Sequence, residues 1–284
     1  MIAKNLSDPI VSVEWLSNNL NNPDLIIVDC RFTLGQPTEG TKAYQQDHIP
    51  YAVRADLELD LSAEKNVHGG RHPLISVEQM EALCSRLGIG NSSIVVAYDD
   101  DDLSKAGRFW WMLRYVGHSQ VYVLDGGYSA WKKAGHEITS KEVTPTSQTF
   151  TASPQIDLLV FKNDVEQRAA TTPLLDSRTG ERFRGEVELK PFDKKAGHIP
   201  GAQCYFYKET LNEDGTMKTT EELKKHFSDL LQQEEIIVYC GSGVTATVNL
   251  LALVRAGRPD AKLYAGSWSD WSSYEDSPVA TGEK

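Results

Sequence analysis

Ile236-Ile237-Val238-Tyr239-Cys240-Gly241-Ser242-Gly243-Val244-Thr245-Ala246 runs into Thr247-Val248-Asn249-Leu250-Leu251-Ala252-Leu253. An apolar, β-branched run passes through a glycine-bearing turn into an apolar stretch of helical character. Continuous apolar runs bounded by turn signals fit buried parallel strands. A strand feeding directly into a helix is the repeating unit of an α/β domain, whose ligands meet the carboxyl ends of the strands. Cys240 stands at that end. Two glycines let the backbone curl so that successive N–H groups point inward. The helix N-terminus adds unpaired donors and the positive end of its dipole. Both favour anionic sulfur, and thiols in such places ionise more readily than a free cysteine. The same cradle suits a persulfide. A free cysteine is most often a small buried hydrophobe, and that reading is kept for Cys30, Cys84 and Cys204, which have no such cradle.

The chain repeats itself once. Val28-Asp29-Cys30-Arg31 matches Leu175-Asp176-Ser177-Arg178 at an offset of 147, and Asp47-His48-Ile49-Pro50 matches Gly197-His198-Ile199-Pro200 at 150. Leu124-Asp125-Gly126-Gly127-Tyr128-Ser129-Ala130-Trp131 matches Tyr264-Ala265-Gly266-Ser267-Trp268-Ser269-Asp270-Trp271 at 140. A period this long is a duplicated domain rather than a solenoid. The falling offset places about nine extra residues in the first copy, in the stretch holding Val67-His68-Gly69-Gly70-Arg71-His72. That insert reads equally as a solvent loop and as a loop that reaches toward the other copy.

Further strands are expected at Leu25–Val28, Ile94–Tyr98, Val121–Leu124, Leu174–Leu175 and Lys262–Tyr264. Helices are expected at Ser76–Leu87 and Thr220–Leu231, which begin with Ser or Thr followed by acidic residues. Lys141–Ser153 is polar, threonine-rich and carries Pro145, which reads as a linker. The expected division is residues 1–140, linker 141–153, and 154–284: two α/β domains in tandem, each a mainly parallel sheet flanked by helices. At the position of Cys240 the first copy has Asp99, so only the second copy keeps a nucleophile. The run Asp99–Asp102 lacks the alternating geometry of a calcium loop.

At 284 residues the chain has room for two such cores without disulfide staples. A net charge of -11 disfavours a phosphate-backbone partner, so no nucleic acid is expected. No apolar run is long enough to span a bilayer, and the N-terminal residues lack the apolar core of an export signal. Four scattered cysteines with no C-x-x-C pair fit a reducing, cytoplasmic setting.

On Asp176-Ser177-Arg178, Gly197-His198-Ile199-Pro200-Gly201-Ala202, Cys240-Gly241-Ser242-Gly243-Val244-Thr245 and Gly266-Ser267-Trp268-Ser269, the chain resembles a tandem-domain sulfurtransferase of the rhodanese family across nearly all its length. The resemblance implies two rhodanese-like domains, an inactive first one, and a persulfide on Cys240, with no cofactor and no metal. Thiosulfate-specific members carry Arg and Lys after the cysteine. Here Gly241 and Ser242 stand there, as in the 3-mercaptopyruvate branch, with thiosulfate as the alternative donor. The donor is then a small anion, and the acceptor a small thiol, cyanide or a thioredoxin-like protein. The resemblance further implies a relay of Ser242, His72 and Asp56, with His68 the rival histidine, and a donor carboxylate held by Arg182. A second arginine of the family pattern would fall at Pro191, leaving Lys190 and Arg184 nearby. Gly241, Gly243, Val244 and Thr245 would shape the donor loop. Two readings from other classes compete. A cysteine phosphatase needs an arginine where Ala246 stands, and a non-catalytic regulatory module would be expected to have lost its cysteine, whereas a sulfur-relay binding module is compatible with Cys240.

Overall fold

The computed structural model describes residues 8–100, 102–187 and 193–283; Asp101, Lys190 and Pro191 lie outside the described residues. Strands β1 (Ile10–Val11), β2 (Leu25–Asp29), β3 (Val53–Arg54), β4 (Ile94–Tyr98) and β5 (Val121–Leu124) form one sheet. β6 (Leu159–Val160), β7 (Leu174–Asp176), β8 (Ala202–Cys204), β9 (Ile237–Tyr239) and β10 (Lys262–Tyr264) form the other. The orders are β1-β5-β4-β2-β3 and β6-β10-β9-β7-β8, with every pairing parallel. The two orders are one topology repeated. In each, chain order reverses between the second strand and the fourth, and a crevice outside the carboxyl ends of those strands is where such sheets take ligands. In the second sheet these are β7 and β9, paired through Asp176 and Tyr239. Cys240 is the next residue.

The four strands that the sequence pattern did not reveal, β1, β3, β6 and β8, are two or three residues long, too short to carry a hydrophobic period. Helix Val77–Arg86 begins as expected, with Ser76 as cap and Gln79 closing a capping box. Helix Thr220–His226 is shorter than the expected span and is capped by Thr219, whose hydroxyl accepts from the Glu222 amide. Beyond Phe227, i→i+3 turns replace it.

The repeat also sets the packing. Asp29 and Arg31 form a buried ion pair at 2.7 Å, and Asp176 and Arg178 one at 2.6 Å. Arg31 lies over the Tyr128 ring and Arg178 over the aligned Trp268, at 4.2 and 4.7 Å. Each arginine also donates to the carbonyl just before the His-Ile-Pro motif, that of Asp47 or of Gly197. A charge pair buried this well is compensated only because its remaining donors are satisfied. The Asp-x-Arg motif is thus a clamp between strand and loop in both copies. Trp131 and Trp271 end the matched segments inside the two cores.

Two compact units result: one takes Met1–Ala63, Ile75–Gln155 and Leu211–Met217, the other Glu64–Leu74, Ile156–Thr210 and Lys218–Lys284. The division differs from one made by sequence position in two ways. The insert Glu64–Leu74 counts with the second copy's unit. The stretch 141–153 is held to the first, with Phe150 buried, Thr151 N donating to Asn91 Oδ1 at 2.9 Å and Ser153 N to Val116 O at 2.9 Å. Its polar composition hides this, because the attachment runs largely through backbone groups. Among the described residues no helix is long and apolar enough to cross a membrane.

Candidate active site

Cys240 leaves β9 almost fully buried. Its amide donates to Ser267 Oγ at 3.1 Å, and its carbonyl accepts from the Trp268 amide at 2.9 Å. The Gly241 carbonyl accepts from Ser269 N at 3.0 Å. The Gly-Ser-Trp-Ser segment therefore fixes the start of the loop. Gly243 has φ +73°, a turn that an L side chain would strain. Gly241 serves a different need. A Cβ there would lie 3.0 Å from Arg71 Nη2 and 3.1 Å from Arg182 Nη2, so its bareness makes room for two guanidinium groups.

Burial alone would push the Cys240 thiol up. The Thr245 hydroxyl and the amides of Ser242, Ala246 and Val244 turn toward the sulfur, and together they hold it below the ordinary thiol value. Helix Ala246–Arg255 starts at this point. The other three thiols go the opposite way: burial raises Cys30, takes Cys84 up to about 12 and Cys204 up to about 11. Burial without converging donors disfavours the thiolate, and that contrast separates Cys240 from its neighbours.

In the first copy the same cradle holds its own side chain. Asp99 follows β4 with no exposure, and its carboxylate accepts from the amides of Leu103, Lys105 and Ala106 at 3.1, 2.9 and 3.1 Å. Burial, reinforced by the charge of Asp102 and opposed by Lys105, pushes the Asp99 carboxyl up to about 7. The donors that face sulfur in one copy are consumed by a built-in carboxylate in the other.

The insert supplies the next group. Gly69 N donates to Asp270 Oδ1 at 2.7 Å and Arg71 N to Ser269 Oγ at 3.0 Å. Gly70 passes so close to Gly266 that a Cβ would meet its carbonyl at 2.5 Å. This pins His72, buried, with Nδ1 2.8 Å from Ser242 Oγ. His68 turns elsewhere: it is exposed, bonds Ser273 Oγ at 2.7 Å and stacks on Tyr274 at 3.8 Å. Asp56 belongs to the other unit. There its carboxylate accepts from Arg54 at 2.7 Å and from the amides of Glu58 and Leu59 at 2.9 and 3.2 Å.

Arg182 lies on helix Gly180–Arg184 and donates to Asp193 Oδ2 at 2.5 Å. Arg184 pairs with exposed Glu186 at 2.7 Å. Lys190 and Pro191 are outside the described residues. Two residues that sequence reasoning passed over complete the group. Arg71 bonds Asp193 Oδ1 at 2.8 Å, so one carboxylate ties together both guanidinium groups beside Gly241. The available signal was the place of Arg71 next to His72; counting only from Arg182 within the second copy missed it.

The chain matches the rhodanese-like domain twice, over residues 12–134 and 160–274. It is 44% identical to a probable 3-mercaptopyruvate sulfurtransferase of Pseudomonas aeruginosa, covering 98% of this chain and 99% of that protein. It is 40% identical to a putative thiosulfate sulfurtransferase of Mycobacterium tuberculosis, covering 90% of each. The crystal structure of a 3-mercaptopyruvate sulfurtransferase from Escherichia coli superposes with a TM-score of 0.81 at 33% identity, over 92% of this chain and 99% of that one. With both copies matched and the strand order duplicated, the chain belongs to the rhodanese family, as a tandem of two rhodanese-like domains.

Proposed function

We propose that this chain is a sulfurtransferase that moves the sulfur of 3-mercaptopyruvate to a thiophilic acceptor through a persulfide on Cys240. The observation that carries the reading is the Cys240 sulfur, ringed by the Thr245 hydroxyl and the loop amides and held toward its thiolate form. Names of the relatives from Pseudomonas aeruginosa and Escherichia coli support the donor. So does the absence of a cation at Gly241 and Ser242.

The Cys240 thiolate attacks the donor sulfur and forms the S–S bond with its own electron pair. The donor C–S bond breaks, and its pair passes to carbon as the enolate of pyruvate. The proton carried by the donor sulfur moves to that carbon, leaving pyruvate and a Cys240 persulfide anion. Ser242 and His72, joined at 2.8 Å beside the loop, are the groups positioned to pass this proton. In this reading Asp56 supports the relay, and Arg182 holds the donor carboxylate. The same N–H and O–H donors that favour the thiolate then favour the persulfide anion. An acceptor thiolate, or cyanide, attacks the outer sulfur and restores Cys240. Four unbridged cysteines fit a reducing, cytoplasmic setting.

Thiosulfate is the alternative donor; it stands in the name of the Mycobacterium tuberculosis relative, but the names of the Pseudomonas aeruginosa and Escherichia coli relatives do not favour it. Its sulfite leaves without needing a proton. Mass spectrometry after incubation with 3-mercaptopyruvate tests the proposal. One added sulfur is expected on the Cys240 peptide and none in Cys240→Ser, which should not release pyruvate. Sulfur on Cys84 or Cys204 instead, with an active Cys240→Ser variant, would overturn it. Relative rates with the two donors decide between them.

A further inference from the structure

The segment that carries His72 is fastened to the same short helix that fixes the Cys240 loop. Helix Ser267–Trp271 holds the loop through the Trp268 and Ser269 amides, which donate to the carbonyls of Cys240 and Gly241 at 2.9 and 3.0 Å. The later part of this helix and the residues after it hold the insert. Gly69 N reaches Asp270 Oδ1 at 2.7 Å and Arg71 N reaches Ser269 Oγ at 3.0 Å. Asp270 is itself fixed, its Oδ2 accepting from the buried Tyr264 hydroxyl at 2.6 Å. Just ahead of the two amides stands His68, exposed, with Nδ1 2.7 Å from Ser273 Oγ. The Ser273 hydroxyl donates its proton to Asp270 O at 2.6 Å, so the imidazole Nδ1 brings the hydrogen of its own bond. The ring also lies flat on Tyr274, with centroids 3.8 Å apart at 7°, and Lys162 Nζ stands 4.5 Å from the same tyrosine ring. Between His68 and the relay come Gly69 and Gly70, at φ +97° and +87°. Two successive glycines impose little conformation of their own, and a Cβ at Gly69 would meet nothing within 4 Å among the described residues. The bond and the stack of His68 thus anchor the chain at the point where it would otherwise swing.

We propose that His68 is a positioning residue: its imidazole latches the insert to Ser273 and Tyr274, and the latch keeps His72 within reach of Ser242. It acts through His72 rather than on the sulfur. This inference rests on the sulfurtransferase reading, in which Ser242 and His72 pass the donor's proton, and it gives a task to the second histidine of the insert. With the relay already held at 2.8 Å, a turnover is spared the entropy of ordering the insert. The helix that holds the nucleophile's loop on one side and the latch on the other is the common reference for both.

The test uses full-length wild type, His68→Ala and His68→Asn, with His72→Ala and the double variant His68→Ala/His72→Ala beside them. Hydrogen exchange at the Gly69 and Arg71 amides, resolved by mass spectrometry with fragmentation, reads the latch without any turnover. In His68→Ala it should quicken about 5- to 100-fold, the scale of one hydrogen bond and one ring stack together. His68→Asn keeps an N–H donor near the place of Nδ1 but lacks the ring, and should fall between. Pyruvate release at saturating 3-mercaptopyruvate should drop about 3- to 30-fold in His68→Ala and recover in part in His68→Asn. In the His72→Ala background the same His68→Ala change should cost less than about twofold, because the group it positions is gone. Unchanged exchange in His68→Ala would overturn the proposal, as would an undiminished loss of turnover when His68→Ala is added to His72→Ala. If His68→Ala does not fold, His68→Asn decides on the same readouts. Should Cys240 take up no sulfur in wild type, the sulfurtransferase reading fails, and exchange alone then decides whether His68 latches the insert.

Discussion

Removing one hydroxyl from the Cys240 cradle should change the reactivity of the sulfur in a way that collapse of the loop would not mimic. Thr245→Val keeps the shape of a half-buried side chain and deletes its O–H. That O–H is foremost among the groups opposing the effect of burial on Cys240, ahead of the amides of Ser242, Ala246 and Val244. A hydrogen bond to a charged group is worth about 1.5–3 kcal/mol. Its loss therefore cuts the thiolate population about 10- to 100-fold at any pH below the thiol's titration. The thiolate that remains is more basic and more nucleophilic, with a Brønsted slope of about 0.4–0.5. The alkylation rate at such a pH should then fall by only about 3- to 20-fold. At alkaline pH, where both thiols are ionised, the variant should react faster than wild type. The two rate–pH curves must cross. Iodoacetamide is the suitable probe, being neutral and so indifferent to Arg71 and Arg182, with mass spectrometry confirming the site. A variant slower at every pH, or with an unshifted profile, would show that Thr245 does not stabilise the thiolate.

His72→Ala should lower 3-mercaptopyruvate turnover by about 10²–10⁴-fold, the range for a positioned acid–base group, while thiosulfate turnover suffers less; equal losses with both donors would reduce His72 to packing. The Asp99 carboxyl, pushed up to about 7 by burial and by Asp102 against Lys105, sits well above its unfolded value of about 3.9. Between those values the folded chain keeps a proton that the unfolded chain has lost, so this group's stabilisation is full below about pH 4 and is lost as pH rises through about 7. Urea midpoints of Asp99→Asn should therefore decline less than those of wild type across that window, and parallel declines would contradict the assignment.

The fold was legible because its determinants are local and repeated. The apolar runs at Leu25, Ile94, Val121 and Ile237, the glycines of the Cys240 loop and the aligned Asp-x-Arg pairs each state one strand, one turn or one clamp. Short edge strands such as β3 and β8 have too few residues for a pattern. In the site, Cys240, Ser242, Thr245 and Arg182 stand on elements that the sequence marks. Arg71 and Asp193 do not: their meaning arises from a shared contact across 122 residues of chain, which periodicity cannot express. Nor did the sequence show that the Asp99 carboxylate accepts from three amides of the first copy's own cradle. That follows from the reach of a carboxylate to three amides, a matter of distance rather than residue order.

Placing Glu64–Leu74 in the second unit has a consequence for synthesis. The bonds that hold this segment span 198 to 205 residues, from Arg71 to Ser269, Gly69 to Asp270 and His68 to Ser273. At a translation rate of about 5–20 residues per second, the segment leaves the ribosome roughly 10–40 s before its partners exist. His72 and Arg71 must wait outside any finished structure until the last turn of the chain emerges. Closing so long a loop adds little equilibrium cost beyond that of a shorter one, since the entropy grows only with the logarithm of length, but it orders events in time. The Cys240 loop waits as well, since its start is fixed by the bonds of Cys240 and Gly241 to Ser267, Trp268 and Ser269, 27 to 28 residues further along the chain. Assembly of this chain therefore ends with the docking of this segment, and a nascent chain arrested short of Gly266 would hold Cys240 without the contacts that place His72 and Arg71.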